Sequence, residues 1–144
     1  MRNWRLGSLK TTMEKKVIVI PCSGIGKALG SVSREATYEV VESLRKGVTE
    51  TICLALITSG DEETLQLVKT NKCITVDGCP LQCAQKNVKL AGGELAASFR
   101  VVDTLKENRN LKPKSVTFLD RDGQELASLL AKQVAEKVGE LLKE

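Results

Sequence analysis

Cys73-Ile74-Thr75-Val76-Asp77-Gly78-Cys79-Pro80-Leu81-Gln82-Cys83 passes from strand composition to helix composition across one turn. Cys73 to Val76 is rich in β-branched residues, Gly78 permits a tight turn, and Pro80 suits the first helical position, where its missing N–H costs nothing. A helix over 80–90, closed by Gly92-Gly93, puts Cys79 at the N-cap and sets Cys79 and Cys83 on one helical face. Backbone N–H groups and the positive end of the helix dipole favour a thiolate at such a cap. Cys79 is therefore expected to be ready to bind a metal or to attack.

The same strand-to-helix passage recurs on both sides. Val17-Ile18-Val19-Ile20-Pro21 is a short apolar run suited to a strand buried on both faces. It ends at Cys22, and the loop Ser23-Gly24-Ile25-Gly26-Lys27 leads to a helix with Val32, Ala36, Val40 and Leu44 at i+4 spacing, which Gly47 can terminate. Thr51 to Ile57 reads as the second apolar strand, with Cys53 near its middle. Ser59-Gly60-Asp61-Glu62 has capping-box spacing before a helix through Leu65 and Val68. Phe99-Arg100-Val101-Val102 reads as the fourth strand. Lys112-Pro113-Lys114 breaks the chain, and Ser115 to Leu119 reads as a weak strand or loop. Asp122-Gly123-Gln124-Glu125 is a second capping pattern, before an amphipathic helix through Leu126, Leu130, Val134, Val138 and Leu141.

This alternation predicts a single-domain three-layer α/β/α fold over residues 15–144. Its sheet is mostly parallel and doubly wound, of Rossmann or flavodoxin-like type, with four strands or slightly more. Residues 1–14 show no periodicity and are expected to be a mobile tail. In such sheets ligands bind beyond the carboxyl ends of the strands, where both Cys22 and Cys79 fall.

Composition narrows the chemistry. Of the 144 residues, none is histidine and five are cysteine. Cys-His catalysis and mixed Cys/His zinc sites are thereby excluded, and any metal must be held by cysteines, with or without a carboxylate. The formal charge of +4 resides in residues 1–16, where Arg2, Arg5, Lys10, Lys15 and Lys16 face Glu14. The rest of the chain is balanced and carries few aromatics, so nucleic acid is not an expected partner. No apolar run approaches the roughly 18 residues of a membrane span, and residues 1–16 lack the apolar centre of a signal peptide. A cytoplasmic protein with no membrane partner is expected, and in a reducing compartment its cysteines serve as ligands, nucleophiles or core residues.

Cys22, Cys79 and Cys83 can converge at one edge of the sheet, and a fourth thiol would complete a tetrahedral site. Cys73 opens its strand roughly 20 Å from Cys79, at about 3.3 Å per residue, and is out of reach. Cys53 can reach only if its own strand ends near Leu54 or Ala55. Zinc is the default ion for structural thiolates, and an iron–sulfur cluster is the competitor.

Pro21-Cys22-Ser23-Gly24, Cys53 within an apolar run, and Asp77-Gly78-Cys79-Pro80-Leu81-Gln82-Cys83-Ala84 together resemble the DGC-motif family of proteins taken to bind zinc. The resemblance covers roughly residues 16–104. It implies Cys22, Cys53, Cys79 and Cys83 as ligands, with Asp77 and Gly78 completing the name motif. Asp77 then stands behind the ligands, and the backbone of Ser23 and Gly24 can approach the metal and donate N–H groups to its sulfurs.

Other chemistries fit less well. Gly24, Gly26 and Gly30 follow the first strand as G-x-G-x-x-x-G, which is not the dinucleotide spacing, and Gly26-Lys27-Ala28 is not a Walker loop. The cysteine-to-arginine spacing that clamps an oxyanion in small phosphatases is absent, because Ala28 stands where Arg is needed. The alternative that remains is a thiol-based redox or sulfur-transfer enzyme using Cys79 and Cys83 with Cys22. No residue is assigned a catalytic role.

Overall fold

The computed structural model describes residues 16–78 and 80–144; the expected tail over 1–14 and Cys79 lie outside them. The elements in chain order are β1 Val17–Pro21, α1 Ala28–Glu39, a π-helical turn Val40–Leu44, β2 Thr49–Glu50, α2 Leu54–Ser59, α3 Glu62–Thr70, β3 Lys72–Asp77, α4 Cys83–Leu90, β4 Glu94–Arg100, α5 Val101–Glu107 and α6 Arg121–Leu142. The sheet has the order β2-β1-β3-β4, and every pairing is parallel. This is the expected doubly wound α/β fold.

The central strands bury both faces, which is why they read as unbroken apolar runs. Val17, Val19, Ile74 and Val76 pack with α1, α5 and α6, through Val32, Ala36, Leu126, Leu130 and Val134 among others. Ile18, Ile20 and Cys73 point the other way, onto Leu54, Ile57, Val68 and Val88 of α2, α3 and α4. The long helix α6 buries Leu126, Leu130, Val134, Val138 and Leu141, the stripe its periodicity predicts. Among the described residues no helix is long and apolar enough to cross a membrane.

The structure corrects four local expectations. Thr51 to Ile57 is not a strand: β2 ends at Glu50, Cys53 is the N-cap of α2, and Gly60 closes that helix at φ +82°. A short apolar run fits strand or helix equally well. Here β2 is an edge with one neighbour, and burying Leu54 and Ile57, three residues apart, takes a helix. Secondly, the helix caps fall elsewhere within both capping patterns. Asp61, not Ser59, caps α3 by accepting from Thr64 N–H, and Asp120, not Asp122, caps α6 by accepting from Gly123 N–H. Thirdly, β4 ends at Arg100, and Val101 and Val102 open α5. Fourthly, α4 starts at Cys83 rather than Pro80, with Gln82 as its N-cap.

The chain leaves β1 for α1 on one face of the sheet and leaves β3 for α4 on the other. The crevice beyond the carboxyl ends of these adjacent strands is the topological switch point, where open α/β sheets bind their ligands.

Candidate functional site

At the switch point two loops are tied together through a sulfur. Pro21 pairs with Val76, and the Cys22 N–H donates to the Val76 carbonyl at 3.0 Å. Two residues beyond Val76, the Gly78 N–H donates to Cys22 Sγ at 3.2 Å. Cys22 is buried, and its sulfur lies 3.4 Å from the Ser33 hydroxyl on α1. Ser33 in turn donates to the Gly30 carbonyl at 2.6 Å, which leaves its oxygen free to accept the Cys22 thiol proton. Ser33 is a site residue that the sequence reading missed, since nothing local marks a serine eleven positions after a cysteine as its neighbour.

The backbones that hold Cys22 approach closer than side chains allow. A Cβ on Gly30 would stand 2.3 Å from the Gly24 carbonyl oxygen, and one on Gly78 would stand 2.8 Å from Gly30 N and from Leu29 C. Gly24 also has φ +51°. The glycines expected to let backbone approach a metal are therefore used first to pack the β1 and β3 loops against the start of α1. The Ser23 carbonyl accepts from the Arg34 guanidinium, which pins this loop to α1.

Asp77 is fully buried at the end of β3. Its Oδ1 accepts from Ala84 N–H at 2.8 Å and its Oδ2 from Gln85 N–H at 3.1 Å. The carboxylate thus caps α4 from six residues before its first residue, while Gln82 in the cap position offers no side-chain bond. Burial pushes the Asp77 carboxyl above its ordinary pKa, opposed by the two N–H donors and by Lys86. Gln82 itself sits at φ +53°, ψ 51°, a left-handed conformation a non-glycine residue seldom adopts; it redirects the chain between the motif and Cys83. No feature of the sequence points to Gln82.

The remaining cysteines fall in two classes. Cys53 and Cys83 are exposed, one capping α2 and the other opening α4, and these two helices pack together. Cys53 lies three residues beyond Glu50, the last residue of β2, which pairs with Ile18 of β1. α4 opens at Cys83, so Cys83 is the first residue of the helix, and Cys79, expected on the same helical face, lies outside the described residues. Cys73 is wholly buried opposite Ile18, and desolvation, then Glu94, pushes its thiol up to about 11. In the native protein at pH 8 iodoacetamide should leave Cys73 unmodified and should label it only after unfolding, as peptide mapping would report. In metal-free protein, native labelling at the rate of the exposed Cys53 would contradict this placement. Among the described residues no group of three His, Cys, Asp or Glu side chains stands close enough to hold a metal ion.

A family model described as the DGC domain matches residues 18–127, a span that includes the Asp77-Gly78 turn, its tie to Cys22 and its cap on α4. The chain belongs to the DGC domain family. No curated protein and no solved structure matches it. The match runs from the second residue of β1 into the first turns of α6, so it spans nearly all of the sheet and α1 to α5, and leaves most of α6 outside.

Proposed function

We propose that this DGC domain binds one zinc ion through Cys22, Cys53, Cys79 and Cys83. Asp77, Gly78, Ser23 and Gly24 would shape the backbone around the ion. The observation that carries the reading is the Gly78 N–H bond to Cys22 Sγ, which links the β1 thiol to the residue immediately before Cys79. N–H donation to sulfur is the support that thiolate ligands receive from the shell around a metal. Cys53 and Cys83 would join from the starts of two packed helices. Zinc bound by the folded chain stabilises the fold. The linkage is about 2.7 kcal/mol at a hundred-fold excess of free zinc over its Kd. A four-thiolate site suits a reducing compartment, and we place the protein in the cytoplasm.

The test is metal content across single Cys→Ser variants of protein purified without added metal. Wild type should carry one zinc per chain and be colourless. Each of the four ligand variants should lose more than roughly 100-fold in zinc affinity, since removing a ligand exceeds the cost of removing its support. Cys73→Ser should bind as wild type does. A coloured protein would replace zinc by an iron–sulfur cluster. Full zinc retention in Cys22→Ser would sink the ligand set. Rapid alkylation of both Cys79 and Cys83 in zinc-loaded protein, with a reversible disulfide between them, would favour thiol redox chemistry instead.

A further inference from the structure

On the face of the sheet away from the cysteines, a groove of about 450 Å³ opens between the first turn of α1, the later part of α5 and the chain that follows it. Leu29, Leu105, Leu111 and Pro113 make its apolar lining. Leu111 belongs to the core, and Leu29 and Leu105 pack against that core, so the floor is already formed. Lys106, Arg109 and Lys112 stand around it, all three exposed.

None of these cations is in an ion pair among the described residues. Asp103, one turn before Lys106, is held by Arg100 through two bonds of 3.0 and 2.8 Å. Asp122 takes the main-chain N–H of Lys112 at 2.9 Å. No acidic residue lines the groove. Solvated protein surfaces intersperse both signs of charge; three exposed cations outside any ion pair, around an apolar floor, complement a molecule with an anionic head and a hydrocarbon body. The volume falls within the range of small-ligand sites, about 300–1,000 Å³. A stable protein partner would need about 800 Å² on each side, which four apolar side chains do not offer.

We infer that this groove binds a soluble amphiphilic anion, a phosphate or carboxylate carrying a short hydrocarbon chain. The apolar lining takes the chain, and Lys106, Arg109 and Lys112 take the head through charge-assisted hydrogen bonds. No described cysteine lines the groove, and the inference does not rest on the zinc reading.

Octyl phosphate below its micelle concentration, titrated into the ¹⁵N-labelled full chain, tests this. The amides of Leu29, Leu105 and Leu111 should shift saturably. Inorganic phosphate and octanol, each carrying half of the recognition, should bind at least about ten-fold more weakly. Lys106→Glu combined with Arg109→Glu should abolish the octyl phosphate response while leaving amides remote from the groove in place; Lys106→Gln with Arg109→Gln gives the same reading should charge reversal disturb the fold. Several results would overturn the inference: no saturable shift, an equal response to inorganic phosphate or to octanol, unchanged affinity in the charge variants, or binding to anionic lipid vesicles with octyl phosphate silent.

Discussion

Gly30→Ala is expected to lower stability by about 3 kcal/mol, the upper end of the usual overpacking cost. The new Cβ would lie 2.3 Å from the Gly24 carbonyl oxygen, 2.4 Å from Gly24 Cα and 2.7 Å from its carbonyl carbon. All three obstacles are backbone atoms, which cannot rotate aside as the end of a side chain can. The β1 loop must therefore move off α1, and the same loop carries Cys22, whose sulfur is bonded to the Gly78 N–H. For a domain of this size such a loss corresponds to roughly 6–12 °C in Tm. Gly26→Ala is the control. Gly26 has a positive φ, +84°, but a Cβ there meets nothing within 4 Å, so only backbone strain of about 1 kcal/mol is expected. Urea unfolding of the three proteins without metal separates the two effects. A Gly30→Ala midpoint equal to wild type would show that the loop and helix do not pack as closely as described. On the proposed function, Gly30→Ala should also weaken zinc binding, whereas Gly26→Ala should do so much less.

Asp77→Ala is expected to cost about 2–4 kcal/mol. It removes the cap of α4 and strips the Ala84 and Gln85 N–H groups of the acceptors at 2.8 and 3.1 Å, with Ala84 fully buried. Asp77→Asn keeps one carbonyl acceptor but turns an NH2 toward the second N–H, so its loss should be smaller, about half. The order wild type, Asn, Ala in denaturant midpoint, measured on metal-free protein, isolates the capping role from any effect on zinc. Amide hydrogen exchange gives a local check: Ala84 and Gln85 should lose protection in the Ala variant before the core strands do. An Asp77→Ala protein with wild-type stability would remove the carboxylate from its assigned place.

Much of this architecture could be read directly along the chain. The β-branched runs at 17–20 and 74–76, each followed closely by a Pro or Gly turn signal, favour buried parallel strands over helix. The i+4 stripe from Leu126 to Leu141 specifies a helix with one buried side. The position of Cys22 after a strand and the break at Gly78 after another followed from the same patterns, and with them the edge of the sheet where a site would lie. The family resemblance rested on these residues as well.

Other features were out of reach of any local pattern. Thr51 to Ile57 has the composition of a strand, and its helix follows from the lack of a second neighbour for β2 and from the pocket that Leu54 and Ile57 fill. The start of α4 depends on Asp77, which supplies its cap across the motif loop, so the helix begins where those N–H donors meet the carboxylate and not where a proline would permit it. Gly30 packs on Gly24 and on Gly78, the latter 48 positions away, and Ser33 reaches Cys22 only because α1 folds back over the strand it leaves. Hydrophobic period and turn chemistry are properties of neighbouring residues and survive without the rest of the chain. Caps supplied from a distance, close backbone approach and the choice between strand and helix for a short apolar run are set by which surfaces meet, and those exist only once the sheet has assembled.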